Sequence, residues 1–217
     1  METFRESLII SVNIGEPKKY TLKDVTIETS MVKSPVSEIH VKYNHIVGDR
    51  FANPNFHGTL DAVVYALQSS VYKYWENFLN QKISIGLLGE NLTLTELNEA
   101  EVRLGDIFKV GDVHLQATGP RYPCNKLNYV TSNSQMQKAF EDSNNPGVYF
   151  KVLKEGTIKP NDKMILLEKS ESDATVLDLY KAIRNKKKQN YDSDLINKIL
   201  KNKNLDSKYL KKIRIEN

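Results

Sequence analysis

The feature that most constrains the fold is a series of short strand-like apolar runs separated by turn-forming residues, and those at residues 20–27 and 36–41 alternate apolar and polar residues. Such runs occupy residues 8–14, 20–27, 36–41, 91–94, 102–110, 113–118, 149–153 and 164–168. Alternation with a period of two puts the apolar side chains on one face of a strand, so each alternating run predicts a half-buried β-strand. Gly111-Asp112 joins two of these runs and favours a tight hairpin. The pattern predicts a mainly β (α+β) domain over residues 1–170.

Two segments of this region have a helical period instead. Ser69 and Ser70 precede an aromatic stretch at residues 71–79, which predicts a serine-capped helix. Its apolar residues recur at the spacing of one buried face: Val71, Tyr74, Trp75, Phe78 and Leu79. We interpret this face as core and expect a second, short helix over residues 134–141.

The pattern changes at Ala174, after which three short helical periods follow. Their apolar stripes are Val176, Leu179, Tyr180 and Ile183; then Leu195, Ile196, Ile199 and Leu200; then Leu205, Tyr209, Leu210 and Ile213. Helices of 8–12 residues are marginal alone, so these must pack on one another or on the β domain. Residues 174–217 are therefore predicted to form a C-terminal three-helix module.

The charge is uneven along the chain. Residues 174–217 carry 12 Lys and Arg against 5 Asp and Glu, a local charge of +7, whereas the whole chain has a net charge of +4. Such a basic run could contact nucleic acid. We favour the solvated face of amphipathic helices, and we expect nucleic acid not to be the partner.

Composition excludes several classes of protein. No stretch approaches the roughly 18 apolar residues that cross a bilayer, and the N-terminus lacks the layout of a signal peptide. We therefore expect a cytoplasmic protein without a membrane partner. Cys124 is the one cysteine, which excludes an intramolecular disulfide and a multi-cysteine zinc site.

The segment most suggestive of chemistry surrounds that cysteine, in the string Thr-Gly-Pro-Arg-Tyr-Pro-Cys-Asn-Lys-Leu at residues 118–127. Two prolines and a glycine predict a stiff loop that holds Arg121, Cys124 and Lys126 together. Nearby cations favour the thiolate, which attacks electrophiles and binds soft metals. Arginine and lysine also suit an oxyanion such as phosphate. The alternative is a buried structural cysteine beside two surface cations.

Two weaker motifs occur elsewhere. His57 precedes Gly58, and Asp61 follows four residues later at a position from which it could orient the imidazole. Gly89-Glu90-Asn91 places a carboxylate and an amide before a strand. Each is equally compatible with a structural turn, and the usual phosphate-loop, zinc-protease and serine-hydrolase motifs do not occur.

In combination these motifs resemble the MOSC family, the C-terminal domain of molybdenum cofactor sulfurases. The resemblance is carried by Gly48-Asp49, His57-Gly58 with Asp61, Gly89-Glu90-Asn91, Gly105-Asp106 with Gly111, and residues 120–127. Their order and spacing are those of a stand-alone bacterial branch that includes the hydroxylaminopurine-resistance proteins and ends in a three-helix module.

The resemblance implies a β-barrel-like fold and a site for the pterin-based molybdenum cofactor, molybdopterin. It implies that Cys124 is the catalytic residue, ligating molybdenum or carrying sulfur. The residues implied to bind the cofactor are His57, Arg121, Lys126, Asn91 and Lys33. The family is also associated with pyridoxal phosphate binding. Related enzymes reduce N-hydroxylated bases and amidoximes with electrons from a flavin or iron–sulfur partner, and a homodimer is one expected assembly.

The chain departs from the family pattern at two positions of the histidine motif. Thr59 stands where relatives have a second glycine, and Ala62 stands where they have a basic residue. Lys33 is a candidate to replace that cation. Three functions stay open at this stage: a molybdenum-dependent reductase, a sulfur carrier with a persulfide on Cys124, and a non-catalytic binding module that uses the basic helices.

Overall fold

The computed structural model describes residues 6–50, 52, 60–202 and 205–213. The strands are β1 (Glu6–Gly15), β2 (Lys18–Leu22), β3 (Val25–Thr29), β4 (Lys33–Val36), β5 (Ile39–Val41), β6 (Val64–Gln68), β7 (Leu92–Leu94), β8 (Ile107–Val110), β9 (Val113–Pro120), β10 (Val148–Lys154), β11 (Gly156–Ile158) and β12 (Lys163–Glu168). The helices are α1 (Val71–Leu79), α2 (Lys126–Val130), α3 (Met136–Asp142), α4 (Val176–Lys187), α5 (Ser193–Leu200) and α6 (Ser207–Ile213).

Seven strands form a closed barrel in the order β12-β8-β9-β10-β6-β7-β1, and β1 pairs back onto β12. The closing register joins Glu6 to Ile165 and Leu8 to Lys163. All neighbours are antiparallel except β6 and β7. The other end of β1 also pairs with β4. The β-barrel-like fold expected from the sequence is confirmed.

The strands form where alternation gives one apolar face. Every second residue of β9 from Val113 to Ala117 is buried, and these side chains fill the barrel interior. Gly111-Asp112 joins β8 to β9 with Val110 opposite Val113, as expected for a two-residue hairpin.

Three predicted strands have the wrong extent. Residues 20–27 form not one strand but the ends of the hairpin β2–β3, because Lys23 and Asp24 both adopt positive φ and turn the chain. Residues 36–41 are divided between β4 and β5. In the run at 102–110 only β8 is a strand, since an Asp106 oxygen accepts the backbone N–H of Arg103 in a turn.

Helix α1 has the predicted bounds but a narrower buried face than expected. Val71 and Trp75 are buried, whereas Tyr74 and Phe78 are 51% and 39% exposed. Trp75 stacks on Phe140 of α3 with the ring centroids 5.5 Å apart. The predicted serine cap is wrong, because the Ser70 side chain makes no capping hydrogen bond.

The three predicted C-terminal helices are present as α4, α5 and α6. Thr175 caps α4 in a reciprocal capping box with Asp178. The predicted second stripe is partly wrong, since only Ile199 of α5 is buried and Leu200 is 40% exposed. Apolar residues of these helices and of the barrel belong to one continuous core. The predicted division of the chain into a β domain (residues 1–170) and a three-helix module (residues 174–217) therefore stays a prediction.

Candidate functional site

The loop that carries Cys124 leaves the barrel directly after β9. Gly119 and Pro120 are still paired with β10, so the loop is shorter than predicted and begins at Arg121. Helix α2 follows, and Cys124 O accepts the backbone N–H of Leu127. The loop is thus anchored to a strand on one side and to a helical turn on the other.

Arg121 is buried and connects this loop to the Gly89-Glu90-Asn91 motif. Its Nη1 donates to the carbonyl of Leu88, and its Cζ lies 5.0 Å from the centroid of the Tyr65 ring. A Cβ on Gly89 would lie 3.0 Å from Nη1, so the absent side chain makes room for the guanidinium. Two motifs that are far apart in the sequence meet at this contact.

The positive charge of Arg121 has no carboxylate partner in the described part of the chain. Its hydrogen bond goes to a neutral carbonyl, and no described ion pair includes it. Burial alone would lower the pKa of Arg121, but its interactions with Tyr65, Tyr149 and Cys124 raise the pKa above its usual value. A buried guanidinium in this setting can attract an external anion.

Cys124 is a free thiol and is partly exposed. It is close enough to Arg121 and Tyr149 to affect their electrostatics. Burial raises the pKa of Tyr149, and the charge of Arg121 opposes that change. The thiol is therefore partly accessible and within electrostatic range of a permanent cation.

Lys33 and Asp49 form a buried ion pair next to this site. The Lys33 Nζ lies 2.5 Å from both carboxylate oxygens of Asp49, and both residues are less than 9% exposed. Burial lowers the pKa of Lys33, while Asp49 opposes the change and Arg121 adds to it. Because Asp49 balances its charge, Lys33 does not present an unpaired ammonium group to a ligand here.

Asn91 completes the same network. Its Nδ2 donates to Asp49 Oδ2 at 2.9 Å and to the Asn13 carbonyl at 3.2 Å. Its Oδ1 accepts the backbone N–H of Tyr65 at 3.2 Å. These bonds occupy the amide, so Asn91 holds β1, β6 and Asp49 in register.

Glu90 is fully buried beside Asn91. Its Oε1 accepts hydrogen bonds from the Tyr72 hydroxyl, the Gly86 N–H and the Thr93 hydroxyl. Its Oε2 has no hydrogen-bond partner among the described residues. Burial raises the pKa of Glu90, which favours the protonated, neutral carboxyl group.

The other predicted site residues have different outcomes. Lys126 is partly buried at the first position of α2, two residues after Cys124. His57 and Thr59 lie outside the described residues. Asp61 is described, and its carbonyl accepts the Thr118 hydroxyl at 2.5 Å. Whether Asp61 orients His57 stays a prediction.

Sequence reasoning missed several residues of this site. Asp49 was noted only as part of a family motif, and Glu90 was not assigned a role. Tyr149 was expected only as a strand residue, and Tyr65, in the unpredicted strand β6, was not considered; their rings lie 5.1 Å apart and border Arg121. In the sequence, Tyr65 is an aromatic residue among the aliphatic residues of β6. This pattern is a weak indication of a site, because core strands show it as well.

Two kinds of feature, a metal-binding cluster and a membrane-spanning helix, were looked for among the described residues. Within residues 6–50, 52, 60–202 and 205–213, no three His, Cys, Asp or Glu side chains converge as a metal site. In the same part of the chain, no helix has the length and apolar composition to cross a bilayer.

Comparison with known proteins identifies the family. The MOSC domain model matches residues 53–165, slightly more than half of the chain. YflK from Bacillus subtilis (strain 168) is 32% identical over 169 residues, which cover 77% of this chain and 76% of YflK. The chain belongs to the MOSC domain family. The MOSC fold thus positions the cysteine loop, Arg121 and the Lys33–Asp49 pair.

Two other relatives extend the comparison. The crystal structure of YiiM from Geobacillus stearothermophilus has a TM-score of 0.76 and 25% identity, and the match covers 96% of this chain and all of YiiM. A protein named Reductase from Gibberella moniliformis is 28% identical over 186 residues. That match covers 84% of this chain but 33% of the reductase, so this MOSC protein spans about a third of that relative.

Proposed function

We propose that this MOSC protein binds the molybdenum cofactor through Cys124 and reduces N-hydroxylated compounds. One observation carries the proposal: a partly exposed thiol lies beside a buried guanidinium that has no carboxylate partner among the described residues. This pair offers a soft ligand and an anion-binding group at one place.

The donor set fits the chemistry of the cofactor. Molybdopterin brings its own dithiolene sulfurs and a phosphate, so the protein needs to add one thiolate and a cation. Cys124 is the only thiol in the chain. Arg121 keeps its charge available, because Asp49 is paired with Lys33 and burial favours the neutral form of Glu90.

When bound, the cofactor would supply reductive oxygen removal, in which two electrons from a donor and two protons release the substrate oxygen as water. The protein residues bind and orient. Arg121 holds the negative group of the cofactor, and Lys33, Asp49 and Asn91 keep the surrounding backbone rigid. Lys126 and His57 are proposed to line the same pocket.

The reaction class is supported by the relative named Reductase, which shares the MOSC region with this chain. An N-hydroxylated base or amidoxime is the proposed substrate, and a flavin or iron–sulfur protein is the proposed electron donor. The proposal needs only that the substrate reach the open side of Cys124.

The decisive experiment measures molybdenum and pterin in protein purified from a host that makes the cofactor. We expect near-stoichiometric molybdenum in the wild type and at least a tenfold loss in Cys124→Ser, because the hydroxyl is a poor ligand for a soft site. Arg121→Met should lose pterin as well. Arg50→Met is the matched control, since Arg50 is an exposed arginine whose side chain is 73% accessible.

Equal molybdenum in the wild type and Cys124→Ser would refute the proposal. The sulfur-carrier alternative also uses a partly exposed thiol beside a cation, which would stabilise a persulfide anion. Intact-mass measurement after incubation with a cysteine desulfurase distinguishes the two. An adduct of one sulfur atom that is lost on reduction, in protein without molybdenum, would favour the carrier.

A further inference from the structure

The C-terminal helices contact the backbone that leads into the Cys124 loop. Tyr209 of α6 is 2% exposed, and its hydroxyl donates to the Pro120 carbonyl at 3.0 Å. Its ring lies against Gly119, where an added Cβ would approach ring atoms to 2.6 Å. Tyr209 therefore fills the space left by the glycine and fixes the last two residues of β9.

The same helices also hold Tyr122, which lies two residues before the cysteine. The Tyr122 hydroxyl donates to Glu141 Oε1 at 2.6 Å, and its ring centroid lies 5.9 Å from that of Tyr180 in α4. The ammonium groups of Lys187 and Lys212 are each 5.5 Å from the Tyr122 ring centroid. Lys187 also pairs with Glu141 at 2.9 Å.

The C-terminal helices contact Pro120 and Tyr122, the residues on either side of Arg121 in the chain. The Arg121 side chain itself contacts other elements. Arg121, between Pro120 and Tyr122, extends its side chain to Leu88 and Tyr65. Movement of Pro120 or Tyr122 would displace both Arg121 and Cys124. The loop is therefore fixed from two sides, by the barrel through Arg121 and by the C-terminal helices through its neighbours.

We infer that the C-terminal module is a positioning element of the active site, which holds Cys124 beside Arg121 through contacts of Tyr209 with Pro120 and of α4 and α6 with Tyr122. We call Tyr180, Lys187, Tyr209 and Lys212 the C-terminal clamp. The importance of the clamp for catalysis rests on the proposed function, but its effect on the thiol does not.

The test uses the single cysteine as a reporter. The full-length chain is produced in a host that does not make molybdopterin, and the rate of Cys124 alkylation by iodoacetamide is measured at a pH where the thiol is fully ionised. Loss of one buried hydrogen bond should let the loop open more often, so Tyr209→Phe is expected to react about fivefold faster. Lys187→Met, which removes a C-terminal ammonium group from the Tyr122 ring, should change the rate in the same direction.

Tyr191→Phe is the matched control, because Tyr191 lies in the same module but is 46% exposed. A purely structural role would lower the melting temperature without changing the alkylation rate well below it. Unchanged rates in both Tyr209→Phe and Lys187→Met, with the fold retained, would overturn the inference. Because the reaction needs no cofactor, this outcome is separate from failure of the molybdenum measurement.

Discussion

At the scale of single residues, the site is defined by which buried charges are paired. Lys33 and Asp49 neutralise each other, and two further donors, the Gly15 N–H and Asn91 Nδ2, satisfy the carboxylate. Arg121 instead has a carbonyl and two aromatic rings around it. The paired charges give rigidity, and the unpaired one is the group that we propose binds the anion of the cofactor.

The buried ion pair of Lys33 and Asp49 leads to a prediction about the free energy of unfolding. Asp49→Asn leaves the Lys33 ammonium buried without a counter-charge and should lower the free energy of unfolding by about 3–5 kcal/mol. Removing the stranded ammonium group as well, in Lys33→Met with Asp49→Asn, should recover much of that loss, because the asparagine oxygen can still accept the Gly15 N–H. Urea unfolding of the three proteins measures the effect.

An exposed pair provides the control for that experiment. Lys163 and Glu6 lie 3.2 Å apart with side chains 55% and 57% accessible, so Lys163→Met should cost no more than about 1 kcal/mol. If Asp49→Asn were as mild as Lys163→Met, the buried pair would not have the role assigned to it.

Sequence reasoning placed Arg121 and Cys124 correctly on one loop, because each of them directly follows a proline in the chain. It could not anticipate that Asp49 neutralises Lys33. That contact depends on how β1, β4 and β7 pair, and no local pattern encodes such a register. The contact of the Arg121 guanidinium with Gly89 also joins residues that are far apart in the sequence, so no local pattern predicts it.

At the scale of elements, Glu99 connects three segments of the structure. Its Oε1 accepts the N–H of Gly147 just before β10, and its carbonyl accepts the N–H of Leu177 in α4. Glu99 itself lies in the connection from β7 to β8 and is 3% exposed. Burial raises its pKa from the ordinary 4.5 to about 7, although the Gly147 bond opposes this change.

This carboxyl group should make stability depend on pH. Because the pKa is higher in the folded state, the contribution of Glu99 is complete below about pH 4.5 and is lost as the pH rises through about 7. The contribution of Glu99 to stability should therefore fall from pH 5 to 7.5 by at most about 3 kcal/mol. Glu99→Gln cannot ionise and should remove this component, as measured by unfolding at both pH values.

Glu96→Gln is the control, since Glu96 is an exposed glutamate near the same connection. It should leave the decline with pH unchanged. A Glu99→Gln protein that loses stability between pH 5 and 7.5 as steeply as the wild type would show that another group is responsible.

Elements were predictable where the local pattern was strong. The period of two located most barrel strands, and the helical period located α1 and α4. The β2–β3 turn was missed because Lys23 and Asp24 are not the usual residues at positive φ. The exposure of Tyr74 and Phe78 was missed because the helical spacing shows which face of α1 is apolar. The spacing does not show how much of that face the rest of the protein covers.

At the scale of the whole molecule, the barrel and the C-terminal helices share one apolar core. Ala174, Leu179 and Ile183 belong to the same buried cluster as Leu115 and Ala117 of β9. Neither part can lose this contact without exposing apolar surface to water. Continuity of the core also explains how the C-terminal clamp can be rigid.

We therefore expect a single cooperative thermal transition by calorimetry, although two regions were predicted from the sequence. Ile183→Ala should destabilise the whole protein by about 2–5 kcal/mol and shift that transition without splitting it. Leu200→Ala, at a 40% exposed position of α5, should have a much smaller effect. Two separate transitions, with only one moved by Ile183→Ala, would contradict this expectation.

The closure of β1 on β12 has a consequence for how the protein is made. Glu6 pairs with Ile165, so β1 can pair with β12 only after all the strands between them in the sequence have been synthesised. Pairings of such long sequence separation are slow to form, and an unpaired edge invites association with other chains. The barrel therefore closes only once β12 is available, and until then the unpaired edge of β1 is a site where other chains could associate.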